Sequence, residues 1–410
     1  MTPSSDASPF SRRFPSAALI DKELRALPEG PEVPLGEQTV DLYCRRVKES
    51  ARLLSETDLT SNPVDRAESY RYLLTMTAYA VDSAILNSDP LEPMFSQPYR
   101  VHMLDWGAAS PDGVYRRAMM RDDLAYRVYG RLGNARYVSL EFRQSSPARH
   151  ITRDEIPCDA EDNFEIFIGG PERDKNWWPM QPGTTGLLVR EFFDDWLSAN
   201  KSRLRIECLD GERAPRPEHR SNRVAAEFDT VGDWILEGAI RSWIKESEAV
   251  AKDRNAFASS MYRSGTKLPD VYNGWWDLAP GEALLIELPD PAAEFWGLQL
   301  ATSLWHTLDY ANRLTTINRS QAHRDPDGVY RLVLAASDPG VHNWLDTTGL
   351  QRGVLILRIT GATNTPPPRT SLLELSDVKA RLADTRGCTP DERRGQIAAR
   401  REGVTRMLYD

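Results

Sequence analysis

Cysteine is scarce in this 410-residue chain, and its four copies, Cys44, Cys158, Cys208 and Cys388, lie at least fifty residues apart. No C-x-x-C pair exists to hold zinc or run dithiol exchange, so they read as reduced core or surface thiols. His-Glu-x-x-His is absent, and the six histidines (His102, His150, His219, His306, His323, His342) show no local metal-ligand spacing. The metal reading left open is a ligand set gathered from distant strands, as in cupin-like jelly rolls. Gly-x-Ser-x-Gly and the Gly-Lys-Ser/Thr phosphate loop are missing, as is a G-x-G-x-x-G after a strand. Serine hydrolases, P-loop enzymes and Rossmann dinucleotide sites thereby lose their fingerprints, and no cofactor is expected.

Positive charge is not in excess. Fifty-one Lys and Arg face sixty Asp and Glu, a net charge of −9 with a pI near 5.4, which argues against a general phosphate-backbone binder. Long apolar runs are also missing: the longest, Leu73 to Leu86, spans fourteen residues and contains Asp82, too short and polar to cross a bilayer. Ser11-Arg12-Arg13-Phe14 resembles the start of a twin-arginine signal, but Pro15 follows and the apolar stretch Ala17 to Ile20 stops at Asp21. The expectations are a cytoplasmic chain, no membrane and no nucleic-acid partner.

What is present suits a folded protein: 40% hydrophobic and 27% charged residues, with length for two to three domains at ~150 residues each. Residues 1–38 carry six prolines and five serines and read as a disordered or extended arm. Over 39–98 the period is helical. Val40, Tyr43, Val47, Ala51 and Leu54 share one face, and Asn62 caps a second helix with Pro63 in its first position. Over 99–224 the period drops to about two, with Tyr137 to Phe142, Phe164 to Ile168 and Leu204 to Cys208 as antiparallel strands with one wet face. Thr230 opens a linking helix within 225–265. Strands resume over 266–362 at Ala283 to Leu288, Trp296 to Leu304, Val329 to Ala335 and Gly353 to Ile359. Residues 363–410 begin with a proline run that stops any strand, followed by two helices opened by Ser371 with Glu374 and by Thr389-Pro390 with Glu392. The fold class expected is α+β: two jelly-roll-like antiparallel β-sandwiches with helical N-terminal, inter-domain and C-terminal segments.

Ser110-Pro111-Asp112-Gly113-Val114-Tyr115-Arg116 recurs 215 residues later as Asp325-Pro326-Asp327-Gly328-Val329-Tyr330-Arg331, identical at six of seven positions. It reads either as two copies of one β unit or as chance reuse of a Pro-Asp-Gly turn.

Unusual residues gather late in the chain. Five of eleven tryptophans, Trp275, Trp276, Trp296, Trp305 and Trp344, fall within seventy residues, interleaved with Gln299, Asp309, Tyr310, Asn318, Gln321, Asn343 and Asp346. Indoles with one polar handle suit the wall of a pocket for a ring-bearing ligand, and two carboxylates among amides suit acid–base work. Core packing and turn shaping are the plainer alternatives. Asp309 and Asp346 are the candidate catalytic pair; Trp296, Gln299, Trp305, Tyr310, Asn318, Gln321, Asn343 and Trp344 are the candidate ligand contacts. Arg190, before an acidic Glu191 to Trp196 segment, is either a clamp for an anion or half of an ion pair. Arg393, Arg394, Arg400, Arg401 and Arg406 stud the last helix, a solvated face or a contact with a partner.

Phe295-Trp296-Gly297-Leu298-Gln299-Leu300, Leu308-Asp309-Tyr310 and above all Asp338-Pro339-Gly340-Val341-His342-Asn343-Trp344-Leu345-Asp346-Thr347 make the stretch from Trp275 to Arg358 resemble the bacterial family known as domain of unknown function 1214. Pro111-Asp112, Tyr115, Tyr126-Arg127-Val128 and Gly130 to Gly133 are similar to the domain that commonly precedes it, domain of unknown function 1254. The chain departs from the commoner pattern at Ser110 and Asp325, where asparagine is frequent, and at His342, where proline is. The resemblance implies paired jelly-roll-like sandwiches and no settled reaction. The leading expectation is an aromatic-lined pocket for a ring-bearing small molecule, a sugar or a sterol-like lipid, with hydrolase- or lyase-type chemistry. The alternative is a non-catalytic binding or assembly protein that forms homo-oligomers through its terminal helices.

Overall fold

Asn62 shows how local chemistry starts the ordered part of the chain. Its Oδ1 accepts the free N–H groups of Val64 and Asp65, both at 3.0 Å, while Pro63 occupies the first turn, where no N–H is needed. The computed structural model describes residues 32–86, 89–96, 106–143, 149–210, 219–258, 270–362 and 368–409. Most of the expected N-terminal arm, the twin-arginine-like segment and most of the proline run lie outside them.

Helices α1 (Glu37–Glu56) and α2 (Pro63–Val81) pack on α3 (Ser221–Asp233), which widens into a π-helical stretch, Trp234–Arg241, before α4 (Ser242–Val250). Gly238 sits in the widened part, where a Cβ would lie 3.0 Å from the Trp234 ring. The linking helix therefore begins at Ser221 rather than Thr230, which is buried in mid-helix. The Thr-x-x-Asp spacing imitates a start signal, whereas the true first residue follows Arg220, whose side chain makes no cap. The helices share one core with Trp275, Ala301, Trp305, Val354 and Ile356 of the second sandwich.

The first sandwich comprises β1 (Gly113–Met119), β2 (Tyr126–Arg131), β3 (Tyr137–Arg143), β4 (His150–Thr152), β5 (Asn163–Ile168), β6 (Trp177–Trp178), β7 (Gly186–Phe192) and β8 (Arg203–Cys208). Its sheets run β1-β7-β3-β4 and β6-β5-β2-β8. The second comprises β9 (Asp270–Asp277), β10 (Glu282–Pro289), β11 (Phe295–Ala301), β12 (Thr316–Asn318), β13 (Val329–Ala335), β14 (Trp344–Asp346), β15 (Arg352–Thr360) and β16 (Arg369–Glu374). Its sheets run β9-β15-β11-β12 and β14-β13-β10-β16, the same order strand for strand. The β5–β6 and β13–β14 pairs are both parallel, and the other strand pairs are antiparallel.

The chain is thus an internal duplication, but out of phase with the Pro-Asp-Gly repeat. Equivalent strands start 156 residues apart at Tyr126 and Glu282, and 167 apart at Trp177 and Trp344. One Pro-Asp-Gly enters β1, the other β13, whose counterpart is β5. The turn entering β5 has its own sequence, Asp159 to Asn163, yet the same bonding. Asp159 N–H donates to Asn163 O at 2.9 Å and Asp325 N–H to Val329 O at 3.0 Å. The heptapeptide match is reuse of a good turn, and the duplication lies in the topology.

Two further expectations change. Arg369–Glu374 is an edge strand on β10, with Ser371 opposite Leu285, so the second sandwich extends past the prolines and Ser371 caps no helix. The wet face expected for Tyr137, Ser139 and Glu141 is also wrong: all three are buried. On this side of β1-β7-β3-β4 the Phe192 ring stacks between Tyr137 and Phe295, with both centroid distances 5.5 Å, so the second sandwich covers part of it. The sandwich cores themselves are apolar, for example Val128, Leu140 and Ile166 in the first and Ile286, Leu298 and Leu357 in the second. Short α5 (Val378–Arg381) places Val378 over the outer face of β10 and β13. Thr389 and Glu392 then form the expected capping box at α6 (Pro390–Tyr409).

Candidate functional site

Helix α6 lies across the seam of the two sandwiches. Its buried Val404 and Met407 join the first core, and Gly403 lets it approach closely, since a Cβ there would be 2.6 Å from Trp196 Cβ. Two of its arginines are buried and point inward. Arg393 holds Asp338 through Nε at 2.9 Å and Nη2 at 3.0 Å, and also donates to the His342 carbonyl. Arg400 donates to the carbonyls of Thr316 and Tyr310 and to Gln321 Oε1. Each stacks on one indole: Arg393 lies 5.1 Å from the Trp344 ring centroid and Arg400 5.2 Å from that of Trp196. Arg394 keeps to an exposed partner on its own helix, Asp391; Arg406 pairs with Glu402 and also donates to the Leu197 carbonyl of the first sandwich at 3.1 Å, and Arg401 reaches Asn312. The arginine row is neither a uniformly solvated face nor a free partner surface; part of it clamps one sandwich to the other.

Between helix and seam lies a cleft of about 450 Å³. Trp196, with Asp194 and Asp195, comes from the loop after β7 of the first sandwich. Gln321 and His323 come from the loop between β12 and β13, and His342 and Trp344 from the approach to β14. Arg386, Gln396 and Arg400 complete it. A buried carboxylate stands behind the wall: Asp112 Oδ1 accepts from Asn318 Nδ2 at 2.6 Å and from Trp196 Nε1 at 2.9 Å. Burial pushes the Asp112 carboxyl up to about 6 and the Arg400 guanidinium down to about 10.

His323 and His342 meet edge to face with ring centroids 6.0 Å apart. Burial, and then the nearby Arg386 charge, hold the His342 imidazole below its ordinary value. Behind His323, Asp325 Oδ1 is buried without a hydrogen bond and lies 3.8 Å from His323 Nε2; its Oδ2 accepts from Arg331 at 2.8 Å and Thr385 at 3.0 Å.

The residues singled out from sequence fall in several places. Gln321 and Trp344 line the cleft, and Asn318 lies behind its wall. Asn343 positions His323, accepting from its N–H at 2.8 Å and donating to its carbonyl at 2.7 Å. Tyr310 packs edge-on against Trp196. The tryptophan cluster disperses: Trp296 and Trp276 are second-sandwich core, while Trp275 and Trp305 face the helices, Trp305 stacking on Trp243 at 5.0 Å. Gln299 is buried at the seam, bonded to Ala109 O, Thr307 and Arg358.

The candidate carboxylates stand outside the cleft lining. Asp309 closes a turn onto Asn312, and Asp346 accepts from Arg313 at 2.9 Å and from the Thr348 N–H at 2.7 Å. Arg190 pairs with Glu141 on the covered face of the first sandwich, in register with Tyr115 and Ser139, away from the cleft. Sequence reasoning missed Asp112, Trp196, His323, Arg400 and the cleft role of His342. The meeting of His323 and His342 carried no signal because it needs β13 and β14, which they precede, to pair in parallel.

Among the described residues, no group of three or more His, Cys, Asp or Glu side chains is gathered to hold a metal ion, and no helix is long and apolar enough to cross a membrane. No protein-family model matches the chain, and no curated protein matches it. A solved structure of an uncharacterised protein from Burkholderia cenocepacia is similar over 83% of this chain and 97% of its own, with 26% identity and a TM-score of 0.76. Another, from Vibrio parahaemolyticus, covers 82% of this chain and all of its own at 12% identity and a TM-score of 0.43.

Proposed function

We propose that the protein binds a polar, ring-bearing small molecule in the cleft between its sandwiches and acts on it by hydrolase- or lyase-type acid–base chemistry. The observation that carries this reading is the convergence of Trp196, Trp344, His323 and His342 on one cleft of about 450 Å³, a volume within the range of small-molecule sites. Its amides, histidines, arginines and carboxylates favour a sugar-like ligand over a sterol, because a sterol would desolvate them without replacing their hydrogen bonds. On the residues quoted from its sequence, we place the chain with the 1254–1214 families as a cytoplasmic, soluble member. Self-association through α6 is not part of the reading, since the buried residues of that helix are used within the chain.

The test is intrinsic tryptophan fluorescence and thermal shift against sugars, sugar acids, sterols and fatty acids, using the whole protein and Trp344→Ala. A sugar-class ligand that raises the melting temperature of the parent, and binds Trp344→Ala at least tenfold more weakly, supports the reading. Binding of a sterol alone, or binding unaffected by Trp344→Ala, overturns it.

A further inference from the structure

We propose that the cleft takes an acidic sugar, a pyranose ring bearing a carboxylate, and eliminates the substituent β to that carboxylate, with His342 as proton acceptor and His323 as proton donor. This rests on the cleft being the ligand site and goes further by naming substrate and reaction. Three observations carry it.

The first is charge. His323, His342, Arg386 and Arg400 border the same space. Arg386 is only loosely held by Glu392 at 3.6 Å, with both side chains about half exposed, so its planar fork is free to turn onto a carboxylate. Asp194 and Asp195, contributed by the first sandwich, also border the space; Asp194 is loosely paired with Arg136 at 3.3 Å.

The second is the asymmetry of the two histidines. His342 has the guanidinium groups of Arg386 and Arg393 and the imidazole of His323 as neighbours. A neutral imidazole among cations accepts a proton only as compensating negative charge develops beside it, which is what loss of the proton α to a carboxylate provides. His323 instead has Asp325 behind it, whose Oδ1 is buried and lacks a hydrogen bond. An imidazolium at His323 would satisfy that oxygen.

The third is support. Asn343 pins the His323 backbone from both sides, and the His342 backbone is fixed through its N–H to Arg386 O at 2.9 Å and its carbonyl to Arg393. Both rings are therefore carried on held backbone, as acid–base groups require.

The step balances without a co-reactant. The α C–H bond breaks and its proton goes to a ring nitrogen of His342, displacing the Gln396 side-chain amide that lies 3.4 Å from both ring nitrogens. The electron pair forms a carbon–carbon double bond to the β carbon, and the β C–O bond breaks. The departing oxygen takes the proton of the His323 imidazolium, and the two imidazoles exchange a proton through solvent to reset.

The experiment uses the full chain with trimers of galacturonic, glucuronic and mannuronic acid and their carboxyl-reduced neutral counterparts. Binding is read by tryptophan fluorescence and turnover by the ultraviolet absorbance of a double bond conjugated to the carboxylate. At least one acidic trimer is expected to bind at least tenfold more tightly than its neutral counterpart and to yield the absorbing product. His342→Gln should lower turnover by ~10²–10⁴-fold with affinity within threefold, and His323→Gln should do likewise. Acidic trimers that bind without product overturn the elimination and leave the ligand-site reading standing. Equal binding of neutral trimers overturns the acidic substrate, and binding by neither overturns both. Equal product from parent and His342→Gln overturns the assignment of the base.

Discussion

Trp196 donates its indole N–H to Asp112 Oδ1 at 2.9 Å while the Arg400 guanidinium lies 5.2 Å from the centroid of the same ring. One side chain of the first sandwich thus stands between a buried carboxylate and a buried cation, and Asn318 of the second sandwich holds the same carboxylate oxygen. Among the described residues neither charge has a direct ionic partner, so each relies on dipoles and on more distant charges, Arg400 and Arg358 in the case of Asp112. The seam is polar at the point where the cleft forms, beside the apolar contact of Phe192 with Phe295.

Removing Arg400 should therefore be costly. Arg400→Met takes its N–H groups from the Thr316 and Tyr310 carbonyls, leaves Gln321 Oε1 with the Asn318 N–H alone, and removes the larger of the two charges that stabilise the Asp112 carboxylate, leaving Arg358. The expected loss is ~3–5 kcal/mol in urea unfolding. Arg394→Met, at a side chain 73% exposed, should stay within ~0.5 kcal/mol. A loss below 1 kcal/mol for Arg400→Met would remove it from the clamp.

Much of this architecture is legible in the sequence and much of the site is not, for a physical reason. Periodicity reports which face of an element is apolar, and so it marks α1, α2 and the strands from Tyr137 to Phe142 and Val329 to Ala335. It cannot report what covers a polar face, and Tyr137, Ser139 and Glu141 read as solvent-facing although the structure buries them. The site depends on such long-range meetings: Asp112 and Asn318 are 206 positions apart. The duplication was hidden because equivalent strands share their place in the sheet order and not residue identities, while the one identical heptapeptide sits at non-equivalent positions.

Asp112 gives the fold a distinctive pH dependence. Its carboxyl is raised to about 6 in the folded chain by burial, against ~3.9 unfolded, so the native state binds the proton more tightly. Stability should rise as pH falls from 7 toward 4, by about 1 kcal/mol between pH 7 and 5 from this group alone. Asp65, also raised to about 6 by burial, acts in the same sense, whereas the lowered His342 acts in the opposite one. Urea midpoints at the two pH values should therefore differ less in Asp112→Asn than in the parent. An unchanged difference would mean that Asp112 does not titrate there.

Gly130 and Gly349 separate crowding from backbone strain. Both have positive φ, 152° and 86°, but a Cβ on Gly130 would lie 1.8 Å from the Arg203 carbonyl oxygen on the neighbouring β8, while one on Gly349 meets nothing within 4 Å. Gly349→Ala should cost ~1–2 kcal/mol from φ alone. Gly130→Ala must part β2 from β8 and should exceed ~4 kcal/mol or prevent folding. Similar melting temperatures for the two variants would contradict the close approach.

Asn343 tests whether the most distinctive string of the sequence serves the ligand directly or through its neighbour. It is buried, and its amide joins the N–H and carbonyl of His323 to the Arg331 carbonyl, the last at 3.0 Å. Asn343→Ala strands these three groups, so stability should fall by ~2–4 kcal/mol. Asn343→Asp keeps the acceptor for the His323 N–H but turns the donor to both carbonyls into a charge, and should be at least as damaging near neutral pH. A direct ligand contact would give the opposite result, weaker binding with an unchanged melting temperature. Melting curves of the free variants beside titrations at a temperature where all are folded distinguish the two, and the bonding places Asn343 as the support of His323, with its effect on binding following from how far that ring is displaced.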